Sequence, residues 1–359
     1  MYELNPSKSD LVLKHDRQLW QARFTPCGRF LIACGYDATL QRWDISGAEP
    51  RLMPPLTGHE GWVQSIAIHP TEPRVYSADS WGRIGCWDYA SESGTATWTK
   101  ADAHDGWIRS IALDPGATML ATAGNDKVVR LWSPADGKPL GELTHPLRLF
   151  SVVFHPDGKS LVTGDLEGTV RQWDIATRTE TRKLDAGRLY SHDSANNQIQ
   201  HCGGARILAF DASGKRLACG GQKEPQGGFA KGTPCVLIFD WESGELLREM
   251  PMGGSEDGFT YDVGFHPDGF VIATSSAFPG KGHTWFWKPE EEKAFFSSNK
   301  LTNGRTLSIH PDGKRVAFLS SNSPNGNGRS LKEGEYAGGF AEIRILPFAA
   351  PAAPQTPAS

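Results

Sequence analysis

Arginine and aromatic side chains recur at two fixed distances before a repeated turn in this sequence. The turn positions are Pro26, Pro70, Pro115, Pro156, Ala212, Pro267 and Pro311. The residues eight and six positions before each turn are Gln18/Trp20, Trp62/Gln64, Trp107/Arg109, Arg148/Phe150, Gly204/Arg206, Phe259/Tyr261 and Asn303/Arg305. Guanidinium groups pair with carboxylates and phosphates, and rigid aromatic rings anchor interfaces. This spacing therefore favours the chemistry of a binding surface.

Other reactive side chains form no pattern that indicates catalysis or metal binding. His192, Asp193, His201, Cys202 and His283 fall in long loops, but their spacing matches no zinc pattern. The glycine-rich stretches GGQKEPQGG and NGNG lack the strand–loop–helix context of phosphate-binding motifs, and no nucleophile elbow is present. We therefore predict no catalytic residues, no metal and no cofactor.

Composition narrows the functional classes further. The net charge is −4, which disfavours sequence-independent binding to nucleic acid. The opening MYELNPSKSDLVL lacks the apolar region of a signal peptide, and no apolar run reaches the roughly 18 residues that cross a bilayer. The six cysteines form no close CxxC pair, and several lie in apolar segments that predict buried, reduced thiols. We expect a cytoplasmic protein without membrane contact.

The turns belong to a repeat of seven units. A second phrase follows each turn: TLQRWD, RIGCWD, VVRLWS, TVRQWD, VLIFDW, HTWFWK and EIRILP. In the first four units its Trp lies 17 residues after the turn position, at Trp43, Trp87, Trp132 and Trp173. A third apolar segment lies between the phrases and a more polar one follows. Each unit thus predicts four short antiparallel strands, and radial repetition of such sheets predicts an all-β, seven-bladed β-propeller.

The repeat resembles the WD-repeat (Trp-Asp) β-propeller family over nearly the whole chain. In that family a His, a Ser or Thr, an Asp and a Trp form a hydrogen-bonded set, and His104, Thr122, Asp126 and Trp132 match all four positions in unit three. Unit two has Trp81 where the Asp is expected, unit four has Glu167 there, and unit one has Ala33 in place of Ser or Thr. Units five to seven depart most, so we expect their stability to depend more on packing.

The chain ends are expected to close the ring. The seventh unit stops at its third strand, and DLVLKH precedes the first unit as an orphan fourth strand. We predict that residues near Asp10–His15 pair with residues near Phe340–Leu346, because this pairing removes exposed sheet edges. Residues 1–347 are then one propeller. The Ala/Pro-rich residues 348–359 are expected to be a disordered tail.

Four extensions interrupt the repeat. Three lie between the second and third strands of units five to seven, as QKEPQGGFAKGT, SAFPGKGH and NSPNGNGRSLKEGEYAGG, and one links units four and five. In a meandering blade both loop types leave from one face, which the family calls the top. The resemblance also places the recurring Arg and aromatic residues around the top opening.

These features predict a non-catalytic scaffold that binds a protein or peptide, such as an acidic or phosphorylated segment, on the top face of a monomeric propeller. The expected binding residues are Trp20, Tyr36, Trp62, Trp81, Trp107, Arg109, Arg148, Phe150, Arg206, Phe259, Tyr261 and Arg305. A propeller enzyme or a small-ligand binder with a site at the top opening remains the alternative.

Overall fold

The repeated phrases fold into four-stranded antiparallel sheets that are arranged in a ring in the computed structural model. The structure describes residues 2–193, 200–224, 232–277, 280–322, 330–332, 335–337 and 340–349. Two short strands precede the first blade: β1 (Glu3–Leu4) and β2 (Leu11–His15), separated by a 3₁₀ helix at Pro6–Lys8. The prediction of an all-β propeller with seven blades is confirmed.

The first four blades are close to regular. Blade one contains β3 (Leu19–Phe24), β4 (Phe30–Gly35), β5 (Leu40–Asp44) and β6 (Arg51–Leu52). Blade two contains β7 (Val63–Ile68), β8 (Arg74–Asp79), β9 (Ile84–Asp88) and β10 (Trp98–Lys100). Blade three contains β11 (Ile108–Leu113), β12 (Leu120–Gly124), β13 (Val128–Trp132) and β14 (Pro139–Thr144). Blade four contains β15 (Leu149–Phe154), β16 (Ser160–Asp165), β17 (Thr169–Asp174) and β18 (Thr179–Asp185).

The remaining blades carry insertions. A 3₁₀ helix (Gly187–Leu189) and a hairpin of β19 (Tyr190–Asp193) and β20 (Gln200–Gly203) precede blade five. Blade five contains β21 (Ile207–Phe210), β22 (Arg216–Lys223), β23 (Thr233–Asp240) and β24 (Leu246–Pro251). Blade six contains β25 (Phe259–Phe265), β26 (Val271–Ser276), β27 (Thr284–Trp287) and β28 (Phe296–Ser298). Blade seven contains β29 (Gly304–Ile309), β30 (Arg315–Asn322) and β33 (Phe340–Ala349), and a hairpin of β31 (Ser330–Lys332) and β32 (Glu335–Ala337) lies between the last two.

The N-terminal strand completes blade seven, as predicted. β2 pairs antiparallel with β33, from Leu11 opposite Ile345 to His15 opposite Ala341. β1 pairs with the end of the same strand, where Leu4 lies opposite Phe348. The strand therefore continues to Ala349, beyond the expected start of the tail at residue 348, and residues 350–359 lie outside the described residues.

Burial falls from the second strand of a blade to the fourth. All six residues of β4 are buried, whereas β14 is mostly exposed. The second strand is covered by neighbouring blades on both faces, so its sequence is a continuous apolar run and not an alternation. One core cluster joins Phe30 and Ile32 of blade one to Val75 and Trp87 of blade two. Burial also raises the pKa of Cys34, in this layer, to about 12, which keeps its thiol protonated.

The repeated His-Pro turns connect neighbouring blades on the face opposite the extensions. His155, His266 and His310 place Nε2 at 2.9, 3.0 and 3.1 Å from the carbonyl oxygens of Gly214, Gly313 and Gly28 respectively. The Nδ1 atom of each ring accepts a backbone N–H from its own turn, from Asp157, Asp268 and Asp312. Because a carbonyl oxygen can only accept, Nε2 carries a proton and donates to the next blade. The contact from His310 to Gly28 joins blade seven to blade one.

Among the described residues, the structure has no helix with the length and hydropathy needed to cross a membrane.

Strand β2, which closes the ring, offers a matched pair of substitutions, because neighbouring side chains in a strand point to opposite faces. Leu13 is 3% exposed and packs with Leu319 and Ile343, whereas Val12 is 43% exposed. We expect Leu13→Ala to lower the free energy of unfolding by about 2–4 kcal/mol and Val12→Ala to change it by less than about 1 kcal/mol. Urea unfolding of both variants measures this. Equal, small effects would mean that the pairing of β2 with β33 does not stabilise the fold.

Candidate functional site

A β-bulge occurs at one position in the innermost strand of six blades. The register between the first and second strands shifts at Trp20, Gln64, Arg109, Phe150, Tyr261 and Arg305. In blade five the strand begins directly after Arg206, whose backbone N–H donates to Gly220 at 3.1 Å. A bulge leaves one residue outside the ladder and redirects its side chain. These are the seven residues found six positions before each turn.

All seven of these residues line one cavity of about 470 Å³ on the ring's axis. Of the residues eight positions before each turn, Phe259 also lines the cavity. Within the described residues, Gln18, Trp62, Trp107, Arg148, Gly204 and Asn303 are not part of this lining. The residues six positions before each turn therefore line the mouth of the channel. Those eight positions before it, apart from Phe259, belong to the surrounding surface.

Arginine and aromatic side chains form a continuous belt around this mouth. We define the belt as Trp20, Tyr36, Trp62, Trp107, Arg109, Phe150, Arg206, Phe259, Tyr261 and Arg305. Its aromatic part runs through Trp20–Tyr36, Tyr36–Trp62 and Trp62–Trp107, with ring centroids 5.8, 4.7 and 5.7 Å apart. Arg109 then lies 4.3 Å from the Trp107 ring and 5.9 Å from Phe150, and Arg206 lies 4.6 Å from Phe150 and 4.5 Å from Phe259.

The belt closes through blade seven. Phe259 contacts Tyr261 with centroids 6.4 Å apart, and the Arg305 guanidinium lies 4.1 Å from the Tyr261 ring and 4.9 Å from Trp20. Every blade contributes at least one side chain. Such edge-to-face and cation–π contacts each contribute roughly 0.5–1.5 kcal/mol. The contacts hold each ring and guanidinium in a defined orientation.

Two predicted binding residues lie outside the belt. Trp81 is 65% exposed in the turn between β8 and β9. Arg148 is exposed at the start of blade four. Arg148 nevertheless contributes to the electrostatics of the mouth, because its charge acts on Arg109.

Positive charge accumulates at the mouth. Burial, together with the charges of Arg206 and Arg148, lowers the pKa of Arg109 to about 10. Burial also lowers the pKa of Arg206. In the described part of the chain, no carboxylate forms an ion pair with Arg109, Arg206 or Arg305; Arg109 donates Nε to Asn125 and Arg206 donates Nε to the Gly203 carbonyl.

Deeper in the cavity lies a pair that sequence reasoning missed. Asp262 is the one carboxyl group among the described lining residues. Arg23 binds it with Nη1 at 2.9 Å and Nη2 at 3.3 Å, and the backbone N–H of Leu307 donates to it at 2.9 Å. The sequence signal for this pair was a charged residue, Asp262, within the mostly apolar strand sequence TYDVGF. Asp262 is therefore neutralised by Arg23 and is not a counter-ion for the belt.

The polar set of blade three is assembled around His104. Trp132 Nε1 donates to Thr122 Oγ1 at 2.9 Å, His104 Nε2 lies 2.7 Å from the same hydroxyl, and His104 Nδ1 lies 2.9 Å from Asp126. An ionised Asp126 can only accept, so Nδ1 carries the proton and Nε2 accepts from Thr122. Burial lowers the pKa of His104, which favours this neutral form.

The acid of this set varies in the other blades. In blade two the structure corrects the alignment at Trp81, because Asp79 at the end of β8 takes the acid's place, 2.8 Å from His59. In blade four, Glu167 does not bond His145, whose Nδ1 instead contacts the Leu143 carbonyl at 3.1 Å. In blade one, His15 contacts Asp37 at 2.8 Å.

Of the loop residues considered for metal binding, His192 lies opposite His201 in the β19–β20 hairpin, and the side chains of His192 and Asp193 lie outside the described part of the structure. His201 stacks on Tyr190, Cys202 is buried, and His283 lies 3.5 Å from Asp257. Among the described residues no group of three His, Cys, Asp or Glu side chains has a geometry that could hold a metal ion.

These features together define an all-β propeller with a belted central opening. Residues 8–44, 51–88, 96–133 and 137–174 match the family model described as "WD domain, G-beta repeat". The first half of the chain thus carries four WD repeats. Each matched segment contains the outer strand of one blade and the three inner strands of the next, so the repeat joins neighbouring blades.

The chain is also similar to a nuclear distribution protein, PAC1-2, from Uncinocarpus reesii. The two are 29% identical over 150 residues, which make up 42% of this chain and 27% of the relative. The chain thus spans about a quarter of the length of this curated relative.

The polar set predicts a pH-dependent stability contribution. Burial raises the pKa of Asp126, but hydrogen bonds from His104 and Arg130 outweigh burial and hold it below its ordinary value. Its contribution is therefore present above the unfolded pKa of about 4 and is lost as pH falls through the lower folded pKa. We expect Asp126→Ala to cost about 1–3 kcal/mol at pH 7 and less below about pH 4.

Chemical unfolding at the two pH values measures this contribution. Asp102→Ala is the control, because its side chain is 84% exposed and its ion pair with Lys100 lies on the surface. A cost for Asp126→Ala that does not change with pH would contradict the ionic description of this set.

Proposed function

We propose that this chain is a cytoplasmic, monomeric, non-catalytic scaffold that binds a protein or peptide on its top face, through the belt together with Trp81 and Arg148. The observation that carries the proposal is the closed belt, in which every blade supplies an oriented arginine or aromatic side chain. Aromatic and Arg residues dominate interface hot spots because they combine large contact area with directed hydrogen bonds.

The charge of the mouth favours an acidic or phosphorylated segment as the ligand. Arg109 and Arg206 stack on aromatic rings, which leaves guanidinium edges available for in-plane acceptors. Carboxylates and phosphates are the acceptors that pair bidentately with such edges. Recognition of a phosphorylated or acidic motif by clustered arginines is a recurring mode of peptide binding.

The positions of the extensions also support binding on the top face. Their stems contact the starts of inner strands: Gly204 donates to Leu189 at 2.8 Å, and Asn303 donates to Lys281 at 3.2 Å. Loops that surround an opening on one side enlarge the surface available to a partner. Because they belong to blades five to seven, we expect a raised half and a flatter half on this face.

The alternative is an enzyme or a small-ligand binder that uses the central cavity. Its volume of about 470 Å³ lies in the range of ligand pockets, which favours a ligand of some kind. Acid–base catalysis needs a free titratable group, whereas Asp262 is held by Arg23. We therefore prefer binding to catalysis. We do not extend the relative's nuclear-distribution role to this chain, because the match covers 27% of that protein.

A partner-capture experiment tests whether the top face binds the partner. Arg109→Ala and Trp107→Ala should each weaken binding of the captured partner by about 2 kcal/mol if they are hot spots, because both side chains belong to the belt. Affinity purification from the native cell identifies the partner, and titration calorimetry measures its affinity for each variant.

The control is Lys159→Ala, an exposed residue in the turn between β15 and β16, on the opposite face. Thermal melting verifies that all three variants remain folded. Loss of binding in the Lys159 variant alone would place the partner on the other face and reject the proposal.

A further inference from the structure

Among the described residues, the lining of the central cavity holds more arginines than carboxylates. Among its described lining residues are Arg23, Arg109, Arg206, Arg305 and a single carboxyl group, Asp262. Arg23 and Asp262 form a bidentate pair that is also anchored by backbone N–H groups. Three guanidinium groups therefore face the cavity without a counter-ion from its lining.

Arg305 is the least satisfied of the three. Its Nε and Nη1 atoms are buried and have no hydrogen-bond partner in the described part of the chain. Its guanidinium carbon lies 4.1 Å from the Tyr261 ring and 4.9 Å from Trp20, so the aromatic faces compensate part of the charge but cannot accept both N–H groups in plane. Buried donors without acceptors are rare because each costs stability.

The three guanidinium groups are also oriented before any ligand arrives. Arg109 is fixed by its Nε bond to Asn125 at 3.1 Å, and Arg206 by its Nε bond to the Gly203 carbonyl at 3.1 Å. The bulge at Arg305 and its two ring contacts fix the third. Like charges placed near one another oppose folding, and a site that breaks local rules in this way indicates function.

We propose that the channel mouth binds one phosphoryl group per chain, with Arg305 as the principal donor and Arg206 and Arg109 as the flanking donors. A phosphoryl group carries up to two negative charges and three acceptor oxygens. It therefore matches three guanidinium groups better than a single carboxylate does. The inference rests on the proposed function, because it assigns the group to the segment bound on the top face.

Inorganic phosphate is the first probe, titrated into the full chain at constant ionic strength and followed by calorimetry and by thermal melting. We expect saturable binding at one site and a rise in melting temperature, because phosphate binds the folded state. Arg305→Met should weaken this binding about tenfold or more, as expected for a charge-assisted hydrogen bond. Arg206→Met should weaken it as well, whereas Lys159→Met on the opposite face should not.

Stability separates this role from a purely structural one. Without phosphate, Arg305→Met should melt at the same temperature as wild type or higher, because methionine fills the space without buried N–H groups. An Arg305→Met variant that melts several degrees lower and still binds phosphate would overturn the inference. So would a wild-type chain that shows no saturable phosphate binding.

A second probe identifies the source of the group. A degenerate nine-residue phosphoserine peptide library that binds more tightly than both inorganic phosphate and its unphosphorylated counterpart supports a segment-borne phosphoryl group. Equal affinity for inorganic phosphate and the library supports a free anion at the same site. If neither binds while partner capture still depends on Trp107, the phosphoryl site is rejected and the proposed function stands.

Discussion

A ring made from a linear chain has one seam, and every blade depends on how that seam is closed. Here β2 and β33 form five residue pairs between the two ends of the chain, and the bond from Asp10 to Ile345 extends the contact. Leu13 and Ile343 belong to the core cluster that includes Leu31 of blade one. The seam is thus held by strand pairing and by packing against the next blade. On the opposite face, the bond from His310 to Gly28 adds a second contact across the same junction.

Arginine has two opposite uses in this molecule, and the contrast supports the proposed binding site. Arg42 is fully buried, yet it donates to the carbonyls of Pro54, Tyr89, Ser91 and Ser93, so it clamps blade one to blade two. Arg182 and Arg248 make the same kind of contact from blade four to five and from five to six. No residue that the structure describes accepts a hydrogen bond from Nε or Nη1 of Arg305. Such a guanidinium, at a position repeated around an opening, supports the proposed binding of a ligand there.

The sequence predicted the residues around the cavity because the bulge lies at a constant distance from a recognisable turn. Counting back from Pro115 reaches Arg109, and counting back from Pro311 reaches Arg305, whatever the geometry between them. The bulge itself has no residue signature, so the sequence could not tell that Trp20 lines the cavity while Trp62 does not. The failure at Trp81 has a similar origin: Asp79 reaches His59 from a neighbouring position, which a fixed alignment cannot represent.

The remaining differences arise where tertiary pairing determines local structure. β1 is two residues long and is a strand because β33 offers an edge at Phe348 and Ala349. The β19–β20 hairpin lies in a segment that reads as a polar loop, and it contacts β22. Such elements have little local propensity of their own, so their existence depends on a partner that is distant in sequence.

The two halves of the ring are stabilised by different interactions, and this explains where the extensions occur. Blades two, three and four anchor their loops with His59, His104 and His145, which bond Ser77, Thr122 and Thr163 respectively. A loop fixed by such a set cannot lengthen without breaking its hydrogen bonds. Blade six relies instead on aromatic packing, for example Phe286 against Phe270 and Phe296, with centroids 5.5 and 4.6 Å apart. Packing among strands places no such condition on the loops beyond them, so this half of the ring can carry longer loops without losing its stabilising contacts.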